Sequence, residues 1–219
     1  WWNVDTSGKN SPLYLVAGTH SNGHVMRCNA VAEHWKGPIE WNWPADNSKA
    51  GVIFVDRYDV DSELLNYYRK GGFLIARMAD FNPHDCDGDV IICPAYIGPE
   101  SGWGNAKYLT GPTYYPIRKV VRVQSTRAGN GIVLIPGSGE WNYQYIIDKL
   151  NCSVLQGSGT EEFAKALACS AYVISAASVS AWEAVCLRKP LFIRMTADNQ
   201  QLSYMALLKY KLAFPWISV

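Results

Sequence analysis

The sequence predicts an α/β protein of two small domains, each built on a parallel β-sheet. Apolar strand segments alternate with helical segments along the chain, and this alternation restarts near residue 131 after a polar stretch. The 219 residues suffice for two domains of roughly 100 residues each. We therefore expect two Rossmann-like domains that face each other across a cleft.

In the first half of the chain, the apolar pattern and its Gly and Pro boundaries predict a series of strands and helices. The strands are expected at Leu13–Ala17, Ile39–Trp43, Val52–Asp56, Phe73–Met78 and Val90–Cys93, and the helices at His24–Trp35 and Asp61–Lys70. Residues 94–117 are rich in Gly, Pro and Tyr and are predicted to form an irregular loop.

A basic and polar segment, residues 118–130, separates the two halves. We place the boundary within it, which gives domains of residues 1–118 and 119–219. Beyond this boundary we expect strands at Ile132–Ile135, Cys152–Leu155, Tyr172–Ser175 and Leu191–Met195, and helices at Glu140–Leu150, after a Thr160 cap, at Ser180–Leu187 and at Asp198–Leu212.

Composition and charge narrow the class of protein. Hydrophobic residues make up 48% and charged residues 18% of the chain, which indicates a globular protein rather than a disordered one. The net charge of +1 provides no overall basic field for nucleic acid. No apolar run reaches the length of a membrane span and no charged-then-apolar leader opens the sequence, so we expect a cytoplasmic protein.

The sequence context of the cysteines indicates that they are small hydrophobic core residues in a reducing compartment, rather than disulfide partners or metal ligands. None of the six forms a CxxC pair, and Cys93 and Cys186 lie in apolar patterns. Residues 84–87, His-Asp-Cys-Asp, include metal-ligand types, and Asp85 and Asp87 have DxD spacing, but no second cluster accompanies them. We interpret them as an exposed turn and expect no metal site.

The most informative motif is GHVMRC, Gly23 to Cys28, which follows the first strand and a polar turn. Its histidine lies at the carboxyl edge of the predicted sheet, where open α/β folds bind ligands, and near a helix N-terminus, which favours anions. Gly18 and Gly23 have the spacing of a phosphate-binding P-loop, but His24 and Val25 replace the required Lys and Ser/Thr. A nucleoside triphosphatase is therefore disfavoured.

His24 is a candidate general base, because the unperturbed pKa of histidine lies near neutrality. Asp56 and Asp80 end predicted strands at the same sheet edge, where either could orient the histidine or an acceptor. The alternative interpretations are structural. His24 would donate to a backbone carbonyl at a helix start, and the two aspartates would be ordinary turn residues.

The segment GHVMRCNAVAEHW resembles the first motif of the nucleotide-sugar hydrolases of pseudaminic acid biosynthesis. More distantly, it resembles the glycine-histidine turn of the UDP-GlcNAc transferase that makes lipid II. The likeness continues through FVDRYDVDSELL, FLIARMADFNPHDCDGDVIIC, YLTGPTYYPIR, IVLIPGSGEWN, YVISAASVSAWEAVCLRKPLFI and ADNQQ. This resemblance implies the two-domain GT-B architecture, in which the C-terminal domain holds the nucleotide sugar and the N-terminal domain offers the acceptor or water.

The resemblance assigns nucleotide-sugar contacts, without a metal or another cofactor, to Gly23, Gly137, Ser138, Gly139, Ser178, Glu183, Asp198, Asn199 and Gln200. Backbone N–H groups near Gly137 and Ser178 would hold the diphosphate, and Glu183 would accept from the ribose hydroxyls. The sequence departs from the family at residues 176–178, where Ala-Ala-Ser replaces a glycine-rich turn, and in its shorter length.

Each of these residues also has a structural interpretation. The Gly-Ser-Gly turn and Ser178 fit ordinary turn and cap chemistry. Ser180 and Glu183 have the spacing of a capping box, and Asp198 fits the N-cap of the last helix with the following amides solvated.

The leading functional hypothesis is a glycosyltransferase that uses a UDP-linked sugar and inverts the anomeric carbon without a metal. Aromatic segments would stack on its acceptor, and these are Trp41-Asn42-Trp43, Trp103 and Tyr114-Tyr115. The acceptor is either a small molecule or a nucleic-acid base. A DNA base would have to be flipped or single-stranded, with phosphate contacts from Arg118, Lys119, Arg122 and Arg127, which otherwise form a solvated linker.

Two alternatives remain open. In a nucleotide-sugar hydrolase, water replaces the acceptor, and GHVMRC itself favours that family. In a non-catalytic module, the chain only binds a nucleotide sugar, and the intact His24 argues against this.

Overall fold

The structure is a computed structural model that describes residues 11–18, 22–46, 49–80, 86–98, 105–137, 141–156 and 160–217. Its contacts divide the chain into two compact units between Pro116 and Ile117. Each unit is a Rossmann-like α/β fold with one all-parallel sheet. The predicted fold class, α/β with parallel sheets, is confirmed.

The N-terminal unit contains the strands β1 Leu13–Ala17, β2 Ile39–Glu40, β3 Val52–Asp56, β4 Leu74–Met78, β5 Val90–Cys93 and β6 Lys107–Thr110. They form a sheet of six strands in the order β2-β1-β3-β4-β5-β6. Among the described residues of this unit, the α-helices are α1 Asn22–Ala32 and α2 Ser62–Lys70. Helix α2 follows an Asp61 N-cap, whose carboxylate accepts from the N–H of Glu63 at 2.8 Å.

These two helices cover opposite faces of the sheet. Strands β1 and β3 are apolar at almost every position, as expected for strands buried on both sides. Leu15 packs in a cluster with Val31 of α1, whereas the next residue, Val16, packs with Leu65 of α2. Helix α1 is thereby anchored over the sheet, with its first turn beyond the carboxyl end of β1.

The C-terminal unit contains the strands β7 Gly131–Ile135, β8 Ser153–Val154, β9 Ser170–Ala176, β10 Leu191–Arg194 and β11 Phe214–Pro215. Their order is β11-β10-β9-β7-β8. The helices are α3 Lys119–Arg122, α4 Gln144–Leu150, α5 Glu161–Ala168, α6 Val179–Cys186 and α7 Gln201–Lys209. The predicted Thr160 cap of α5 is confirmed, because its hydroxyl accepts from the N–H of Phe163 at 3.1 Å.

Both units arrange their strands in the same way. In each, the second strand lies on one side of the first, and the third strand lies on the other side. Loops that leave the carboxyl ends of the first and third strands therefore diverge, which opens the crevice where doubly wound sheets bind ligands. This crevice lies beyond Ala17 and Asp56 in the N-terminal unit and beyond Ile135 and Ala176 in the C-terminal unit.

The structure corrects the prediction where elements are short. Residues 94–117 are not a wholly irregular loop, because β6 pairs with β5 and a 3-10 turn follows at Pro112–Tyr114. The four residues of β6 are mostly half-exposed at the sheet edge, so they carry no apolar alternation. The polar segment 118–130 contains α3, which buries Val121 completely. The last predicted helix opens as a 3-10 turn at Asp198–Gln200 and continues as α7.

The cysteine prediction holds in part. Cys28, Cys93 and Cys152 are buried, whereas Cys186 is exposed at the end of α6, where its side chain leaves the buried face of the helix. None of the helices that the structure describes combines the length and the hydrophobicity of a membrane span.

Candidate functional site

His24, Asp56 and Asp80 come together at the carboxyl edge of the N-terminal sheet. His24 lies in the first turn of α1, Asp56 is the last residue of β3, and Asp80 follows β4. One ligand atom from each side chain lies within 4.8 Å of those of the other two. Three residues that the sequence placed only at a common edge thus form one cluster at the crevice.

His24 and Asp56 form a buried hydrogen-bonded pair. Nδ1 of His24 lies 2.7 Å from Oδ1 of Asp56, and each side chain is 2% exposed. An ionised carboxylate has no proton to donate, so Nδ1–H is the donor in this hydrogen bond, and in the neutral form of the ring Nε2 is left as an acceptor. The structural alternative, donation to a backbone carbonyl, is therefore wrong for this nitrogen. A Cβ at Gly18 would approach Nε2 to 3.3 Å, so a larger residue would crowd the ring.

Arg27, one turn after His24, bridges the two carboxylates. Its Nε and Nη2 donate to Oδ2 and Oδ1 of Asp56, each at 2.7 Å. Its Nη1 and Nη2 donate to Asp80 at 2.9 and 2.7 Å. Burial opposes the Arg27 charge, but both aspartates raise the pKa of Arg27 well above its ordinary value. Burial likewise opposes ionisation of Asp56, yet Arg27 and His24 hold the pKa of Asp56 below its ordinary value.

Two tyrosines complete the cluster. The Tyr58 hydroxyl donates to Oδ2 of Asp80 at 2.9 Å, and its ring meets the His24 ring edge-on with a centroid distance of 5.0 Å. Tyr115 forms a hydrogen bond with Arg27, and burial raises the pKa of Tyr115, which keeps its hydroxyl neutral. Tyr58 thus lies against the histidine, while Tyr115 holds the guanidinium.

Sequence reasoning assigned no role in the cluster to Arg27, Tyr58 or Tyr115. The spacing of His24 and Arg27, three residues apart on a predicted helix, was a usable signal that both lie on one face. Tyr115 gave no such signal, because it reaches the cluster from the far end of the unit.

In the C-terminal unit, Gly137 and Ser178 flank the crevice between β7 and β9. Gly137 has φ +73°, and a Cβ there would lie 2.9 Å from Cβ of Ala176, so this turn passes tightly against the end of β9. Ser178 is the N-cap of α6, and within the described residues its side chain makes no capping hydrogen bond. Ser138 and Gly139 were predicted with Gly137 but lie outside the described residues.

Glu183 lies beneath the surface rather than in an open crevice. It is 0% exposed, and its Oε1 accepts from Nε of Arg118 at 2.7 Å. In the part of the chain that the structure describes, its Oε2 has no hydrogen-bond partner. Burial raises the pKa of Glu183 against the opposing effect of Arg118. The capping box with Ser180 is wrong, because α6 begins at Val179 and Ser180 lies inside the helix.

The predicted sugar-contacting triplet forms the 3-10 turn that precedes α7. Gln200 is 7% exposed, and its Oε1 accepts from the N–H of Thr196 at 2.9 Å. Asp198 is exposed but does not cap this turn, because the N-cap is Ala197. Asn199 is half-buried between them. The structure therefore commits Gln200 to its own loop and leaves Asp198 open to solvent.

The basic residues proposed for a DNA acceptor differ in their exposure. Arg118 is 5% exposed and paired with Glu183, so it is neither a solvated linker residue nor an open phosphate contact. Lys119, Arg122 and Arg127 are exposed. Lys189, which lies in the segment YVISAASVSAWEAVCLRKPLFI, donates through Nζ to the backbone carbonyls of Arg127 at 2.9 Å and Ser170 at 2.8 Å.

The remaining predicted residues are dispersed. Trp41 is 44% exposed, whereas Trp43 stacks on Tyr68 with ring centroids 5.5 Å apart. Gly23 is half-buried in the first turn of α1. Asp87 pairs with Arg69 at 2.6 Å. His84, Asp85 and Trp103 lie outside the described residues.

No protein-family model matches the chain, and a search of curated proteins finds none that matches it. The fold and the geometry of the His24 cluster therefore carry the functional argument.

Proposed function

We propose that the protein is a glycosyltransferase that uses a nucleotide sugar, and that His24 is its general base. The observation that carries this proposal is the buried His24–Asp56 pair at the crevice of the N-terminal sheet, in which Nδ1 is bonded and Nε2 is left as an acceptor. Displacement at an anomeric carbon needs a base that takes the proton of the attacking hydroxyl. The motif resemblance favours a UDP-linked sugar as the donor.

In the proposed reaction, the acceptor hydroxyl gives its proton to Nε2 of His24 while its oxygen attacks the anomeric carbon. The bond between that carbon and the phosphate oxygen breaks on the opposite face, so the configuration inverts and a nucleoside diphosphate leaves. Asp56 stabilises the imidazolium that forms, as the carboxylate of a catalytic triad does. Arg27 supports this role because it keeps Asp56 ionised.

The departing diphosphate is assigned to the crevice of the C-terminal unit. In the described structure, the Ser178 side chain does not cap the first-turn N–H groups of α6. The turn at Gly137 flanks the same crevice. Such N–H groups stabilise a departing phosphate without requiring a metal. A ribose contact from Glu183 additionally requires that ligand binding exposes its Oε2, since the side chain is fully buried.

One observation favours a second candidate, a nucleotide-sugar hydrolase. His24 is 2% exposed, and the Tyr58 ring packs edge-on against it. Water reaches such an enclosed base more easily than a bulky acceptor does. In the transferase, an acceptor hydroxyl has to reach Nε2 of this buried ring, beside which Tyr58 is 39% exposed.

Product analysis distinguishes these functions. The protein is incubated with a panel of nucleotide sugars, with and without small hydroxyl compounds or single-stranded DNA, and products are identified by mass spectrometry. A glycosylated acceptor supports the transferase, and free sugar formed without an acceptor supports the hydrolase. Thermal stabilisation by UDP without turnover in any mixture would indicate a binding module instead. Neither turnover nor stabilisation by any nucleoside diphosphate would contradict the whole proposal.

A further inference from the structure

Groups that could ligate a divalent cation surround the guanidinium of Arg27. A nitrogen of His24 and carboxylate oxygens of Asp56 and Asp80 all lie within 4.8 Å of one another. One imidazole and two carboxylates form a donor set that suits Zn²⁺, Mn²⁺ or Co²⁺. Arg27 stands among these ligands and donates to both carboxylates, at 2.7 Å from each through Nη2.

We propose that Arg27 is the resident cation of this cluster, a positioning residue that takes the place of a divalent metal ion. The side chains of Asp56 and Asp80 are only 2% and 17% exposed, so water screens their mutual repulsion poorly. A cation between them removes that repulsion. Because the fork of Arg27 holds both oxygens of Asp56, it also fixes the carboxylate plane that directs Oδ1 at His24.

Arg27 therefore acts on the chemistry through Asp56 and His24 rather than on a substrate. Its Nη2 lies 3.2 Å from Nδ1 of His24, and both atoms are donors once Nδ1–H bonds to Asp56. That approach is consequently a packing contact, and the orientation of the imidazole depends on the shared carboxylate. If Arg27 is shortened, the three ligands are left without a cation and a divalent metal ion should replace it.

The chain offers a matched control in Arg69. This arginine also bridges two carboxylates, donating to Asp87 at 2.6 Å and to Asp89 at 2.8 Å. That cluster is more exposed, at 24%, 36% and 37% for the three side chains, and no histidine among the described residues joins it. Arg69→Ala therefore removes a bridging cation at a place where the described residues do not supply the proposed donor set.

The first test measures cation binding and does not depend on the proposed function. Full-length Arg27→Ala is titrated with CoCl₂ and followed by visible absorption and thermal melting. We expect one Co²⁺ per chain and a melting temperature that rises by at least about 4 °C at saturation. Arg27→Ala/Asp80→Asn, the wild type and Arg69→Ala should show neither change. If Arg27→Ala folds only with Co²⁺, the proposal is equally supported.

The proposal is overturned if Arg27→Ala folds without binding Co²⁺, or fails to fold at any Co²⁺ concentration. Binding that persists in the Arg27→Ala/Asp80→Asn double variant would also overturn it, because the ion would then occupy another site.

The second test rests on the proposed function. Without added metal, Arg27→Ala should lower kcat by about 10–100-fold and leave KM for the nucleotide sugar unchanged, since the lost contact orients the base. Arg27→Lys should recover part of kcat, because lysine supplies the positive charge but not the two parallel N–H donors that hold Asp56. Co²⁺ binding with no turnover in the wild type would leave the cation role standing and reject the proposed function. Turnover in the wild type without Co²⁺ binding in Arg27→Ala would support the proposed function and reject the cation role of Arg27.

Discussion

Replacement of Asp56 by asparagine should destabilise the protein, because the new amide NH₂ group faces another hydrogen-bond donor in either orientation of the side chain. The carboxylate accepts from Nδ1 of His24 and from Nε and Nη2 of Arg27. Asparagine keeps the shape but offers one acceptor oxygen and one NH₂ group. In one orientation its NH₂ faces Nε–H of Arg27, and in the other it faces Nδ1 of His24 and Nη2 of Arg27. An amide donor therefore faces an N–H donor of Arg27 in both orientations, whichever nitrogen of His24 carries the proton.

The size of this effect follows from burial. Removal of one partner from a buried ion pair typically costs about 3–5 kcal/mol of unfolding free energy. Asp80 still balances the charge of Arg27, so we expect the lower end, about 3 kcal/mol, for Asp56→Asn. The matched control is Asp59→Asn, which removes a partner of Arg57 from an ion pair whose aspartate is 62% exposed. For that variant we expect at most about 1 kcal/mol.

Urea unfolding of the wild type and both variants at pH 7, followed by tryptophan fluorescence, measures these differences. Asp56→Asn should unfold at a clearly lower urea concentration than Asp59→Asn. Equal losses for the two variants would refute the argument that the His24–Asp56–Arg27 network is a buried and stabilising ion cluster.

Further predictions concern pH, a glycine turn and a buried lysine. Because the pKa of Asp56 lies below its ordinary value, its stabilisation is complete above about pH 4 and is lost as the pH falls through the folded-state pKa. The gap in unfolding free energy between wild type and Asp56→Asn should therefore narrow from pH 7 to pH 3, and a constant gap would contradict this. Gly137→Ala should lower the free energy of unfolding by about 1–2 kcal/mol, because Gly137 has a φ of +73° and lies close to Ala176. Gly131→Ala is the control, since the space around its Cβ is open, and it should change the melting temperature little. Lys189→Met should cost about 1–3 kcal/mol in urea unfolding because two backbone carbonyls lose their donor, and an unchanged midpoint would argue against that role.

The fold was largely predictable from local pattern. Strands β1 and β3 have the predicted bounds, because each is a short apolar run closed by a polar turn. Strand β6 was missed because an edge strand of one exposed and three half-exposed residues buries too little apolar surface to leave a pattern. Its parallel pairing with β5 is a tertiary interaction that local sequence does not encode.

The candidate site was predictable only where one strand end or one helix turn determined a position. His24 and Asp56 follow from the predicted β1–α1 turn and from the end of β3. The capping-box interpretation of Glu183 was wrong because the helix begins one residue earlier than predicted. Its ion pair with Arg118 was not predicted, because the two residues are distant in sequence. Burial of a charged pair across such a separation is set by packing, which the sequence pattern alone does not reveal.

The most direct test of the central claim compares nucleotide binding and turnover in His24→Ala. Calorimetry measures the Kd for UDP, mass spectrometry measures product formation, and thermal melts verify folding. We predict that turnover falls by roughly 10²–10⁴-fold while the Kd changes little, because the proposed base and the proposed diphosphate contacts belong to different units. His34→Ala, which alters an exposed histidine just beyond α1, should behave like the wild type. A folded His24→Ala protein that binds UDP and turns over like the wild type would contradict the assignment of His24 as the general base.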